Sequence, residues 1–84
     1  MRVLVPASLR AYWGGGARAD VDAKELGDAI RALGPLATRV LDDTGEVRPH
    51  VHLFVNQVAS RRLDVALAEG DIIHILPAVS GGST

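Results

Sequence analysis

The chain has 84 residues with nine basic and ten acidic side chains, a formal net charge of -1, which indicates one small domain without a broad basic surface for nucleic acid. A domain of this length buries roughly 60–65 % of its unfolded surface and leaves little room for a private active-site cleft. It has no cysteine, hence no disulfide, thiolate metal site or thiol nucleophile, and no apolar run nears the ~20 residues of a membrane span. A cytoplasmic protein that binds neither membrane nor nucleic acid is expected.

Val3, Val5 and Leu9 are apolar at odd positions and predict a first strand over residues 2–9, with Pro6 marking an edge or bulge because it cannot donate to a ladder. Gly14-Gly15-Gly16 then permits a reversal into a second strand over residues 17–21, giving a hairpin. Asp22 and Glu25 have capping-box spacing, and Leu26, Ala29, Ile30 and Leu33 recur on one helical face, which predicts a helix over residues 23–33. Gly34-Pro35 stops it. A loop or single helical turn follows, with turn chemistry at Asp42-Asp43-Thr44-Gly45.

Residues 50–55 read as a strand with Val51, Leu53 and Val55 on one face and His50, His52 and Phe54 on the other. After a turn at Leu67-Ala68-Glu69-Gly70-Asp71, the final strand turns Ile73 and Ile75 one way and Ile72, His74 and Leu76 the other. This β-β-α-β-β pattern predicts an α+β domain of the β-grasp (ubiquitin-like) type, a mixed four- to five-stranded sheet packed on one main helix. The domain is expected over residues 1–80, with residues 81–84 as a flexible tail.

The last strand runs into Pro77-Ala78-Val79-Ser80-Gly81-Gly82-Ser83-Thr84. Glycine lacks a Cβ, so Gly81 and Gly82 let the backbone thread a slot that any side chain would block, and the end is suited to insertion into a partner.

Leu67-Ala68-Glu69-Gly70-Asp71 leading through Ile75-Leu76-Pro77-Ala78-Val79-Ser80-Gly81-Gly82 resembles the closing segment of MoaD/ThiS-type ubiquitin-like sulfur-carrier proteins. Val5-Pro6, Leu9-Arg10-Ala11-Tyr12, the Gly14-Gly15 turn and Phe54-Val55-Asn56 are similar to the branch serving cysteine synthesis and dedicated biosynthetic clusters. The resemblance implies that the Gly82 carboxylate is adenylated by an E1-like enzyme using ATP and converted, from a sulfide source, to a thiocarboxylate. A sulfur-accepting synthase would then use it to make cysteine or a sulfur-containing metabolite or cofactor. The carrier would be a cosubstrate with no intrinsic cofactor, which suits a chain whose sulfur cannot reside on cysteine.

One departure stands out, because the family acts through a free terminal glycine whereas Gly82 is joined here to Ser83-Thr84. A JAMM-type metalloprotease cutting between Gly82 and Ser83 would expose it; an adventitious extension or a carrier never activated are the alternatives. A ubiquitin-like protein modifier would share the diglycine and the activating enzyme, and a non-covalent β-grasp interaction module would need neither.

Phe54, His74 and Leu76, with Val79, match the positions of the docking patch of ubiquitin-like proteins, and a phenylalanine on a solvent face is costly unless covered. They are the expected E1-like docking surface. His50, His52 and His74 make a weak metal constellation, and no metal is expected. The glycine run lacks the lysine and the strand-loop-helix context of a phosphate loop. Tyr12 and Trp13 are either a partner contact or a lid on the core, and Arg61-Arg62 reads as a solvated pair available to an acidic partner surface.

Overall fold

In the computed structural model, which describes residues 1–77, β1 (Arg2–Leu4) stops short of Pro6. Pro6 has an extended backbone (φ -68°, ψ 154°), and the chain continues not as strand but as a 3-10 helix over Ala7–Trp13. The expected strand over residues 2–9 is thereby corrected. Proline offers no ladder hydrogen, its carbonyl accepts the Leu9 N–H at 2.9 Å, and Leu9 leans on the core from the helix. Gly14 caps that helix in the left-handed conformation (φ 59°), and β2 (Arg18–Asp20) returns antiparallel to β1 with Ala19 opposite Val3. The reversal therefore uses a helix as well as glycines.

Leu26, Ala29, Ile30 and Leu33 are all 0 % exposed, so the helical stripe is the core face, as their spacing predicts. The regular helix α1 is shorter than residues 23–33, spanning Leu26–Arg31, and the Asp22–Glu25 capping box does not form. Glu25 is itself the N-cap, extended and without a side-chain hydrogen bond. Tertiary backbone partners replace the cap: the N–H groups of Leu26 and Gly27 donate to the carbonyls of Val65 (2.9 Å) and Leu63 (2.8 Å), and Leu67 N–H donates to Lys24 (2.8 Å). A helix start whose orphan donors are met by a neighbouring segment needs no carboxylate.

Past Gly34 (φ 61°) the chain makes a 3-10 turn, Gly34–Leu36, and one turn of helix, α2 (Ala37–Val40), which bury Leu36 and Val40. The turn that follows is built on Asp42, whose carboxylate accepts from the Thr44 N–H at 2.9 Å, the Thr44 hydroxyl at 2.6 Å and the Glu46 N–H at 3.1 Å. These bonds, the Thr44 hydroxyl foremost, hold its carboxyl below the usual carboxylate range.

β3 (Val51–Val55), β4 (Val58–Ser60) and β5 (Ile72–Pro77) complete a five-stranded sheet in the order β2-β1-β5-β3-β4. β4 is not anticipated by the sequence reading. It is reached through Asn56 (φ 49°) and Gln57 (φ 73°), a two-residue reversal with both residues left-handed and no glycine to signal it. β5 lies at the centre, parallel to β1 and antiparallel to β3. Ile73 is opposite Val3 and Val55, and Ile75 is opposite Leu53; these inward side chains meet α1 and α2 in one apolar core without a buried polar side chain among the described residues. The layout is a mixed sheet with helical cover on one face, the β-grasp arrangement.

The site where α1 meets the segment 63–67 makes a test. A Cβ built on Gly27 would sit 2.9 Å from the Leu63 Cβ, an atom fixed close to the backbone. Alanine is intrinsically the better helix former by about 1 kcal/mol, yet Gly27→Ala is expected to destabilise the fold by about 1–3 kcal/mol through overpacking. Urea unfolding reads the sign; a stabilised variant would mean that the 63–67 segment does not seat against α1.

Candidate functional site

Strand pairing and pleat together assemble the outer face of the sheet, the one the helices leave open. Because side chains alternate, burying Val3, Val51, Leu53, Ile73 and Ile75 turns Leu4, His52, Phe54, Ile72, His74 and Leu76 outward. The register sets Leu4 opposite His74, His74 opposite Phe54 and Phe54 opposite Ala59, a single row across four strands. Directly opposed side chains on a sheet lie roughly 4.5–5.5 Å apart at Cβ, close enough to act as one surface. His74 is therefore flanked by apolar side chains on both sides. The neighbouring row joins His52 to Leu76, and Leu76 is 48 % exposed.

Of the expected docking residues, the structure brings Phe54, His74 and Leu76 together on this face, whereas Val79 and the expected acyl, threading and processing residues Gly82, Gly81 and Ser83 lie outside the described residues. Leu4 completes the row and was missed. The signal was available, since Val3 and Val5 on the core side of Arg2-Val3-Leu4-Val5 leave Leu4 on the other. A groove of about 380 Å³ runs along this face, lined by Leu4, Pro6, Arg10, Arg18, His74 and Leu76. Its floor is apolar and two arginines stand at its edge, so it suits a partner offering aliphatic or aromatic side chains with carboxylates beside them.

A polar clamp sets where β5 begins. Asn56 donates its side-chain amide to the Asp71 carboxylate at 2.8 Å and accepts the Ile72 N–H at 3.0 Å, while its own N–H donates to the Ile72 carbonyl at 2.8 Å. The second oxygen of Asp71 accepts the Ala68 N–H at 2.8 Å. The turn after β3 and the turn before β5 are thus tied side by side, fixing the register that puts Phe54 against His74.

The arginine pair is corrected. Arg61 donates to the backbone carbonyls of Val47 (2.7 Å), Arg48 (2.9 Å) and Val51 (2.9 Å), so it staples the approach to β3 rather than waiting for a partner. Arg62 pairs with Asp64 at 2.9 Å, both side chains largely exposed, a pair worth little to stability. Trp13 leans on the core and donates its indole N–H to the Arg18 carbonyl at 3.1 Å, which makes it a lid. Tyr12 instead stands exposed with the Arg39 guanidinium 4.4 Å from its ring centre. Among the described residues no three histidine, aspartate or glutamate side chains converge as a metal site. Among the same residues no helix is long and apolar enough to cross a membrane.

Comparison with known proteins gives these features a context. Residues 3–82 match the model of the ThiS family. The sulfur carrier protein CysO of Mycobacterium tuberculosis is 33 % identical, the match covering 95 % of this chain and 96 % of that protein. Its crystal structure superposes with a TM-score of 0.82 at 30 % identity over 93 % of this chain and 98 % of the other. Small archaeal modifier protein 3 of Haloferax volcanii is 40 % identical over 84 % of this chain and 78 % of its own length. A chain from the crystal structure of the Amycolatopsis orientalis BexX/CysO complex shares the fold, with a TM-score of 0.87 at 24 % identity over 96 % of this chain and 98 % of that one.

The clamp predicts a pH dependence. The Ala68 N–H first, and then the Asn56 amide, hold the Asp71 carboxyl below the usual carboxylate range. A folded value below the unfolded one means that the contribution is fully present above the unfolded pKa of about 3.9 and is lost as pH falls through the folded value. Urea unfolding between about pH 5 and pH 2 should show a shallower loss of stability for Asp71→Asn than for the unaltered chain. Equal slopes would mean that Asp71 carries no such linkage.

Proposed function

This chain belongs to the ThiS family of sulfur carriers and ubiquitin-like modifiers, and on that footing we propose that it carries sulfur as a thiocarboxylate on Gly82. The observation that supports the reading best is that the family match runs through Gly81 and Gly82, which come four and five residues after Pro77, the last residue of a central strand bonded on both edges. Side-chain-free residues beyond such an anchor give a thin peptide that can enter another protein's nucleotide site while the domain stays outside.

The chemistry then belongs to the tail and its partners. A JAMM-type metalloprotease hydrolyses the Gly82–Ser83 amide and leaves a free carboxylate. An E1-like enzyme lets that carboxylate attack the α-phosphorus of ATP, forming the acyl-adenylate and releasing pyrophosphate. Sulfide adds to the activated acyl carbon, AMP departs, and the thiocarboxylate remains as a nucleophile for a sulfur-accepting synthase. The chain is a cosubstrate rather than a catalyst, with ATP, metal and sulfide source all held by partner enzymes. Docking uses the face of Phe54, His74 and Leu76, with Val79 beyond it; that a chain of the same fold was solved in a BexX/CysO complex supports recognition by a protein partner.

A second reading, protein modification, is favoured by the similarity to a small archaeal modifier protein. It shares the acyl-adenylate and differs only in the nucleophile, a lysine amine in place of sulfide.

Mass spectrometry tests both. The chain ending at Gly82, incubated with ATP, its E1-like enzyme and sulfide, should gain the mass difference between sulfur and oxygen, and the chain through Thr84 should not. Isopeptide-linked adducts without that gain would select the modifier, and an unchanged mass in every incubation would remove both. Phe54→Ala should weaken binding to the activating enzyme by more than ~1 kcal/mol with little loss of fold stability. A large loss of stability instead would assign Phe54 to packing.

A further inference from the structure

Where β5 ends, a cleft of about 310 Å³ opens between the 3-10 helix Ala7–Trp13, α2 and the approach to β3. Pro77 lies on its rim, and Ser8, Tyr12, Arg39, Arg48 and His50 give it a polar, cationic wall. The two guanidinium groups are held before any ligand arrives. Arg39 lies over the Tyr12 ring and donates to its hydroxyl, and Arg48 donates Nε and Nη2 to the Thr38 carbonyl at 3.2 and 2.9 Å. Such preorganisation lowers the ordering cost of binding an anion.

Among the described residues no acidic side chain lines the cleft and neither arginine takes part in an ion pair. Arg48 does reach Asp42 through space, but as the last of the influences on that carboxyl, behind its bonds to Thr44 and Glu46. The cleft thus presents two held guanidinium groups and an imidazole without a counter-charge among the described residues, away from the Phe54–His74 face.

We propose that this cleft is a carboxylate seat, and that its occupant is the chain's own Gly82 α-carboxylate once the bond to Ser83 is cut; the occupant, though not the seat, rests on the reading of Gly82 given above. Reach supports that assignment. Gly82 is five residues beyond Pro77, a span of up to about 17 Å when extended, and Pro77 itself borders the cleft. Gly81 and Gly82 have no side chains to obstruct the approach. A thiocarboxylate carries the same charge and takes the same seat. Because the arginines stand at the surface, the contact is weak and salt-sensitive, so a partner's nucleotide site can draw the tail away.

NMR of the chain made to end at Gly82 tests this without protease or activating enzyme. Relative to the same chain with Gly82 amidated, the free carboxylate should shift the Arg39 and His50 amide signals and the Tyr12 ring signals. These differences should disappear in Arg39→Gln and in Arg48→Gln, and should shrink sharply at about 1 M salt, where the screening length is ~3 Å. The salt arm uses the unaltered side chains and so is independent of any effect of the substitutions on folding. Identical spectra for the acid and the amide, or differences that persist in both variants and at high salt, would overturn the proposal. Sulfur incorporation is not read in this experiment, so the seat can fail while the thiocarboxylate chemistry stands, and the reverse.

Discussion

The pairing of β5 with β1 on one side and β3 on the other is the constraint from which the remaining structure follows. It sets two strands distant in sequence side by side and parallel, with Val3 against Ile73, and runs the β3 ladder against the same strand with Leu53 against Ile75. Once those four apolar side chains face inward, the pleat leaves no choice about the other face. Leu4, His74 and Phe54 must then share an outer row. A slip of one residue would bury His74 and expose Ile73 and Ile75, an exchange that the cost of burying an unpartnered imidazole forbids.

Two devices protect that register. The clamp of Asn56 and Asp71 fixes β5 relative to the turn that ends β3, through side-chain and backbone bonds that also satisfy the Ala68 and Ile72 N–H groups. Arg61 performs a comparable task at the other end of β3, where its guanidinium gathers carbonyls from Val47, Arg48 and Val51. Both use polar side chains on backbone groups, in a domain whose core has no polar member among the described residues. Stability and register are thereby divided, with apolar burial supplying the first and peripheral hydrogen bonds the second.

The same strand joins architecture to function. In the function proposed above a peptide end is presented to other proteins, and such an end needs a fixed base and a slender continuation. β5 is hydrogen-bonded on both edges, so pulling on the tail loads the middle of the sheet rather than an edge. The open face and the cationic cleft lie beside this strand, one along its outward side chains and the other at its last residue, Pro77. Two surfaces of different chemistry, one apolar and one cationic, thus adjoin the same strand.

Periodicity located the helical stripe of Leu26, Ala29, Ile30 and Leu33 and the inward and outward faces of β3 and β5, and turn chemistry located the reversal at Asp42, because each depends on spacing or local backbone chemistry. The diglycine and the surrounding motif were likewise plain in the sequence, since a tail that must lack side chains announces itself by composition. Three-dimensional contact decided the rest. Leu9 imitated a strand residue because a helix that merely touches the core can share a parity with the strand before it. The capping box stayed unmade because residues 63–67, some forty positions away, brought carbonyls to the start of α1. β4 was hidden by a left-handed Asn56-Gln57 turn, and Arg61 looked solvated because its three carbonyl partners are distant in sequence. Local patterns fix which face a side chain prefers, whereas hydrogen-bond partners supplied from far along the chain exist only once the sheet has closed.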